Sequence, residues 1–156
     1  MGNATVRTVR FKRTSQTTGG AHMENQFQWK PGYETGVEEI DAQHKQLLKL
    51  IEKTFHLRNE NADCTEVKDL LDDLIRYAFY HFRSEEMIWE LYGYPGIDDQ
   101  RSAHKEISKD LEEIVCQIQS GAKHIPELVM FLFKWFVDHT TMLDREGGDH
   151  ILSQRA

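Results

Sequence analysis

The sequence predicts an all-α protein, an antiparallel up-down-up-down four-helix bundle with an N-terminal arm. Four stretches carry apolar residues at three- and four-residue spacing, the pattern of a helix with one buried face. Short breaks with polar residues, Gly or Pro separate them, and nothing between them alternates long enough to form a strand. Helices joined by short connections pack most simply against their chain neighbours, each running opposite to the last.

The first helix is expected from Asp41 to Asn59, where Leu47, Leu48, Ile51 and Phe55 share a face. Ahead of it, "FQWKPGYETGVEEI", Phe27 to Ile40, holds Trp29, Pro31 and Tyr33 without a helical stripe, and reads as an arm lying across the bundle. The second helix is expected from Thr65 to Leu91, with Leu70, Leu74, Tyr77, Ala78, His81, Phe82 and Ile88 facing inward. Gly93 and "YPG" at 94–96 end it, and Asp98 or Asp99 caps the third helix by accepting a free amide hydrogen bond. That helix continues through Ile107, Leu111, Ile114, Val115 and Ile118 to a stop at Gly121. Pro126 marks the first turn of the fourth, where its missing donor leaves no hydrogen bond unmade. The fourth runs to Leu143, and its Phe131, Trp135 and Phe136 read first of all as core.

A chain of 156 residues suits one domain with a single core. The net charge is -7, but residues 1–22 hold Arg7, Arg10, Lys12 and Arg13 and no acid. Setting those four aside leaves 15 basic against 26 acidic residues, an acidic body that repels phosphate backbones and excludes nucleic acid as partner. The leader lacks the apolar run of a secretory signal. Its basic character suits a transit peptide, but "GGAHM" reads as a cloning remnant, disordered, with the natural start at Met23 and one domain over 23–156. Cys64 and Cys116 lie far apart without a CxxC spacing, against a disulfide scaffold or a thiolate metal site. The most apolar run, Val129 to Val137, is too short for a membrane span and is broken by Lys134. These features place the protein in a cytoplasm, away from membranes.

The chemistry lies in ionisable groups on apolar stripes, where they are costly to bury unless paired or bound to metal. His44 precedes Leu47 and Leu48 by one turn; His81 and Glu85, then Gln100 and His104, are four apart and share a face. His139 and Asp144 are five apart, about 140° around a regular helix. Either the fourth helix is locally distorted there, or the Asp reaches in from its edge. His56, His124 and His150 have no such partner and read as surface or capping residues, and Glu86, turned about 100° from Glu85, reads as solvated. No histidine has a glutamate three residues before it, against a ferritin-like site. HExxH, a glycine-rich phosphate loop and GxSxG are absent.

The ordered set of His44, "HFRSEE", the Gln100–His104 pair and "HTTMLD", with "GVEEIDAQHKQL", "YGYP" and "WFVDH" around it, resembles hemerythrin, in particular the bacterial hemerythrins, over Phe27 to His150. The resemblance implies a non-haem centre of two iron ions joined by an oxo or hydroxo group and bridged by Glu85 and Asp144. One iron takes His44 and His81 and keeps an open position for molecular oxygen. The other takes His104 and His139, with Gln100 where the family has a third histidine. Gln100 is a weak ligand, a holder of water, or no ligand at all. Leu47, Phe136 and Thr140 are the positions that line the oxygen pocket.

The expected function is oxygen binding without catalysis, as carrier, store or delivery protein in a bacterial cytoplasm. The alternative is an oxygen or redox sensor that signals to an attached or separate output domain, which the loss of a histidine favours. A peroxide- or nitric-oxide-handling enzyme ranks below both, because no general acid or base stands beside the site.

Overall fold

A computed structural model gives the structure of the protein and describes residues 26–57, 64–121 and 124–155. The expectations for residues 1–22, and for the end of the first helix at Asn59, lie outside the described residues. Four helical columns form the bundle: α1 (Glu38–Leu57), α2 (Cys64–Leu91), α3 (Ile97–Gln119) and a fourth built from three segments. That fourth column comprises α4 (Ile125–His139), a π-helical turn (Thr140–Asp144) and α5 (Arg145–Arg155). Each of α1 to α4 packs on its chain neighbours, and α1 packs on α4, which closes the bundle.

The arm lies on the bundle through Phe27 and Tyr33, both buried, with Phe27 against Phe55 and Phe133 and Tyr33 edge-on to Phe136. It ends earlier than expected, because α1 begins at Glu38. The Asp41 carboxylate accepts from Thr35 N–H and Thr35 Oγ1–H, both at 2.8 Å, and from Gly36 N–H at 3.2 Å. Asp41 is thus inside the first turn and holds the chain entering it. Glu38, Glu39 and Asp41 together place negative charge at the positive end of the helix dipole.

In α3, Gly96 occupies the cap position and no side chain caps it; Asp98 and Asp99 fall in the first turn instead. The expected cap is corrected to a charge interaction with the helix terminus. Gly93, with φ +63°, takes the left-handed conformation that ends α2, as its type favours. The largest departure is the fourth column, which continues past Leu143 to Arg155.

The apolar core has two parts. Leu47, Phe82, Ile107, Leu111, Leu132 and Phe136 belong to the larger, while Ile40, Trp89, Tyr94 and Ile151 belong to the smaller. On every column a polar layer falls between them: His44 between Ile40 and Leu47, His81 and Glu85 between Ala78 and Trp89, His139 and Asp144 between Phe136 and Ile151. Among the described residues, no helix is long and apolar enough to cross a membrane.

Candidate metal centre

The polar layer brings together all seven residues that the sequence singled out as ligand positions. His44, His81, Glu85, Gln100 and Asp144 have no exposed surface, and His104 and His139 almost none. The helical spacing delivers each pair: four residues in α2 and α3 set His81 above Glu85 and Gln100 above His104 on one face.

His139 and Asp144 meet through the local distortion that the sequence left as one of two alternatives. The π-helical turn Thr140–Asp144 sits between them. Hydrogen bonding from i to i+5 widens the turn, so residues five apart come onto one face. Asp144 Oδ1 consequently lies 3.1 Å from His139 Nε2.

Each carboxylate faces two different sets of histidines. Glu85 Oε1 lies 3.1 Å from His44 Nε2 and 3.3 Å from His81 Nε2, while its Oε2 lies 3.1 Å from His104 Nε2. Asp144 Oδ2 lies 3.3 Å from His44 Nε2, and its Oδ1 turns to His139. His104 Nε2 and His139 Nε2 are 3.1 Å apart. Two groups of potential ligands result, His44 with His81 and Glu85, and His104 with His139, Glu85 and Asp144.

The residues fit a pair of metal ions. Among the described residues, Gln100 Oε1 is an acceptor buried without a hydrogen-bond partner, and Glu85 Oε2 and Asp144 Oδ2 have only the imidazole Nε2 of His104 and of His44 near them, at 3.1 and 3.3 Å. Orphaned acceptors of this kind are costly in a protein interior unless something positive stands among them. Imidazole nitrogen with carboxylate oxygen is a donor set suited to iron, copper or zinc.

The electrostatics of the layer show how strongly the groups compete. Burial and the neighbouring Asp144 charge both push the Glu85 carboxyl up, yet His81, His104 and His44 outweigh them and hold it down to about 2. Burial likewise opposes ionisation of Asp144, and His139 and His44 bring its carboxyl below the usual range. Burial disfavours charge on His44, but hydrogen bonds to Asp144 and Glu85 raise it to about 10. His81 is lowered to about 4, chiefly by burial, which the Glu85 charge only partly offsets.

Two residues that support the layer were not singled out. Glu86, expected to be solvated, places Oε1 2.9 Å from His104 Nδ1 and is corrected to a partner of that ring. Gln43 Oε1 lies 3.1 Å from His81 Nδ1, and its Nε2 donates to Ser84 Oγ at 2.8 Å. In both histidines the hydrogen bond at Nδ1 leaves Nε2 for the centre. His150, expected as a surface or capping residue, places Nε2 3.2 Å from the Tyr92 carbonyl oxygen just beyond α2 and 2.7 Å from Gln154 Nε2. His124 precedes α4, its backbone N–H 3.4 Å from Glu127 Oε2.

The chain is similar to known proteins in sequence and in shape. The family model of the hemerythrin HHE cation binding domain matches residues 35–146. A bacteriohemerythrin of Clostridium acetobutylicum is 29% identical over 79% of this chain and 99% of its own. One from Stenotrophomonas maltophilia is 24% identical over 79% of this chain and 80% of its own. A crystal structure of a hemerythrin mutant superposes with a TM-score of 0.72 at 23% identity, covering 78% of this chain and 94% of that one.

Proposed function

Because the chain belongs to the hemerythrin family, whose members bind oxygen at non-haem iron, we propose that it holds two iron ions in the polar layer and binds molecular oxygen there. His44 and His81 hold one ion, His104 and His139 the other, and Glu85 and Asp144 bridge them. The observation that carries this reading is the division of labour within each carboxylate, one oxygen turned to each set of histidines. When bound, such a pair supplies two electrons that hold oxygen reversibly.

The chain's own residues provide the rest. His44, His81, His104 and His139 present Nε2 inward, and Gln43 and Glu86 fix two of the rings from behind. Leu47, Phe136 and Thr140 are buried and form the wall of the oxygen pocket, with the Phe136 ring edge-on to His44 at 5.8 Å. A dry wall keeps water and protons from the bound ligand. The protein acts as carrier, store or delivery protein in the cytoplasm, without catalytic turnover. Gln100 favours a second reading, a redox sensor, because a sensor must undergo the oxidation that a carrier must resist.

Iron analysis together with visible spectra of the reduced protein before and after air, and again under argon, tests the proposal. Two irons per chain and a spectrum that returns under argon are expected. Conversion within seconds to a stable oxidised form selects the sensor, and one iron or none overturns the di-iron reading.

A further inference from the structure

Gln100 lies on α3 one turn before His104, without exposed surface. Its Nε2 donates to Asp144 Oδ1 at 3.1 Å, the same oxygen that faces His139. Asp144 Oδ1 is the acceptor of that hydrogen bond, and a carboxylate oxygen offers a neighbouring amide nothing to accept. The amide therefore has one orientation, since turning it over would set two acceptor oxygens against each other. Oε1, on the same carbon as Nε2, is left inside the layer, buried and with no donor. An amide oxygen in that state wants a donor or a cation, and carbonyl oxygens are ordinary ligands for a cation.

We propose that Gln100 closes the metal position of His104 and His139 through Oε1, with Asp144 locking the amide, so that only the position of His44 and His81 stays open to a small ligand. The inference rests on the di-iron reading and deepens it. Without Oε1 the two positions are alike, each with two histidines and a share of two carboxylates. With Oε1 they differ, and the difference decides where a small ligand goes. The replacement of histidine by glutamine thus preserves the asymmetry of the centre, with an oxygen in place of a nitrogen and a second hydrogen bond to the bridge.

The test is a calorimetric titration of the oxidised, iron-loaded protein with azide, a small anion that occupies open ferric positions, alongside iron analysis. One azide per chain is expected for the wild type and for Gln100→His, which restores a ligating nitrogen. Gln100→Leu is expected to take two, or to retain a single iron through chelator treatment that leaves both in the wild type. Two azides on the wild type overturn the proposal, as does Gln100→Leu with two firmly held irons and one azide. Fewer than two irons in the wild type overturn the di-iron reading itself, and this inference with it.

Discussion

Glu86 Oε1 lies 2.9 Å from Nδ1 of His104, the ring whose Nε2 faces Glu85 on its other side. The contact makes a carboxylate–imidazole pair, which fixes the tautomer and raises the basicity of the nitrogen that faces the centre. Phe82 stacks on the same ring, 4.5 Å between centroids and 14° between planes, so its tilt is fixed as well. Arg101 approaches Glu86 from the neighbouring turn of α3, 4.0 Å away.

Glu86→Ala removes that support and leaves every proposed ligand in place. Metal affinity is expected to fall by about 10- to 100-fold, the range for losing such a partner. Competition with a chelator measures it. Unchanged metal retention would show that packing against Phe82 orients His104 unaided.

The π-helical turn makes the register of Asp144 sensitive to chain length. Inserting one alanine after Met142, whose side chain is exposed, lengthens the step from His139 to the Asp144 carboxylate to six residues and swings that carboxylate about 100° around the axis. The expected outcome is loss of bound metal with far-ultraviolet circular dichroism still helical, and a lowered Tm because α5 rotates too. Retention of two irons would mean that another group replaces the Asp144 bridge.

Loading the site with metal should release protons. Hydrogen bonds to Asp144 and Glu85 raise His44 from 6.5 to about 10 against the opposing effect of burial, so at pH 7 it carries a proton that an entering metal must displace. The sign follows directly: apparent affinity rises as pH rises toward 10, by about tenfold per pH unit for each proton released. Calorimetry in buffers of different ionisation enthalpy counts the protons, with at least one per chain expected at pH 7. None released would mean that His44 is already neutral.

A smaller side chain at Leu47 should speed oxidation of the iron. Leu47 is buried on α1 one turn after His44, and Leu47→Ala opens space for water beside the proposed pocket. The rate of conversion to the oxidised form, followed in the visible spectrum, is expected to rise. An unchanged rate would remove Leu47 from the pocket wall.

The site was legible where periodicity and residue type agree. His81 with Glu85, and Gln100 with His104, are set on one face by helical spacing alone, and their burial follows from the stripes they interrupt. The five-residue step from His139 to Asp144 announced a distortion without deciding it, because the π-turn depends on tertiary packing. Glu86 was missed for a different reason. Periodicity tells which way a side chain points, and Glu86 points away from Glu85, but the sequence does not say that His104 of α3 waits on that side. Trp89 was passed over likewise: it is fully buried in a second apolar cluster that forms only when α5 packs against α2. The fourth apolar stripe reads only as far as Leu143, so that helix, with Gly147 and Gly148 in it, lies beyond what the pattern shows.

Those two glycines serve close approach within a continuing helix. A Cβ at position 148 would meet the Thr35 carbonyl oxygen at 2.1 Å, and one at 147 would press on the Trp89 indole at 3.0 Å. Thr35 belongs to the chain segment that Asp41 holds at the start of α1, so α5 docks directly on that entrance. Helix propensity alone would make Gly148→Ala stabilising by about 1 kcal/mol. Backbone cannot yield as a side-chain tip does, so the clash should dominate, with a net loss of about 1–3 kcal/mol typical of overpacking. Thermal unfolding of the metal-free protein measures the sign cleanly, because metal binding is then removed from the balance. A lowered Tm is expected; a raised one would mean that α5 does not lie against Thr35.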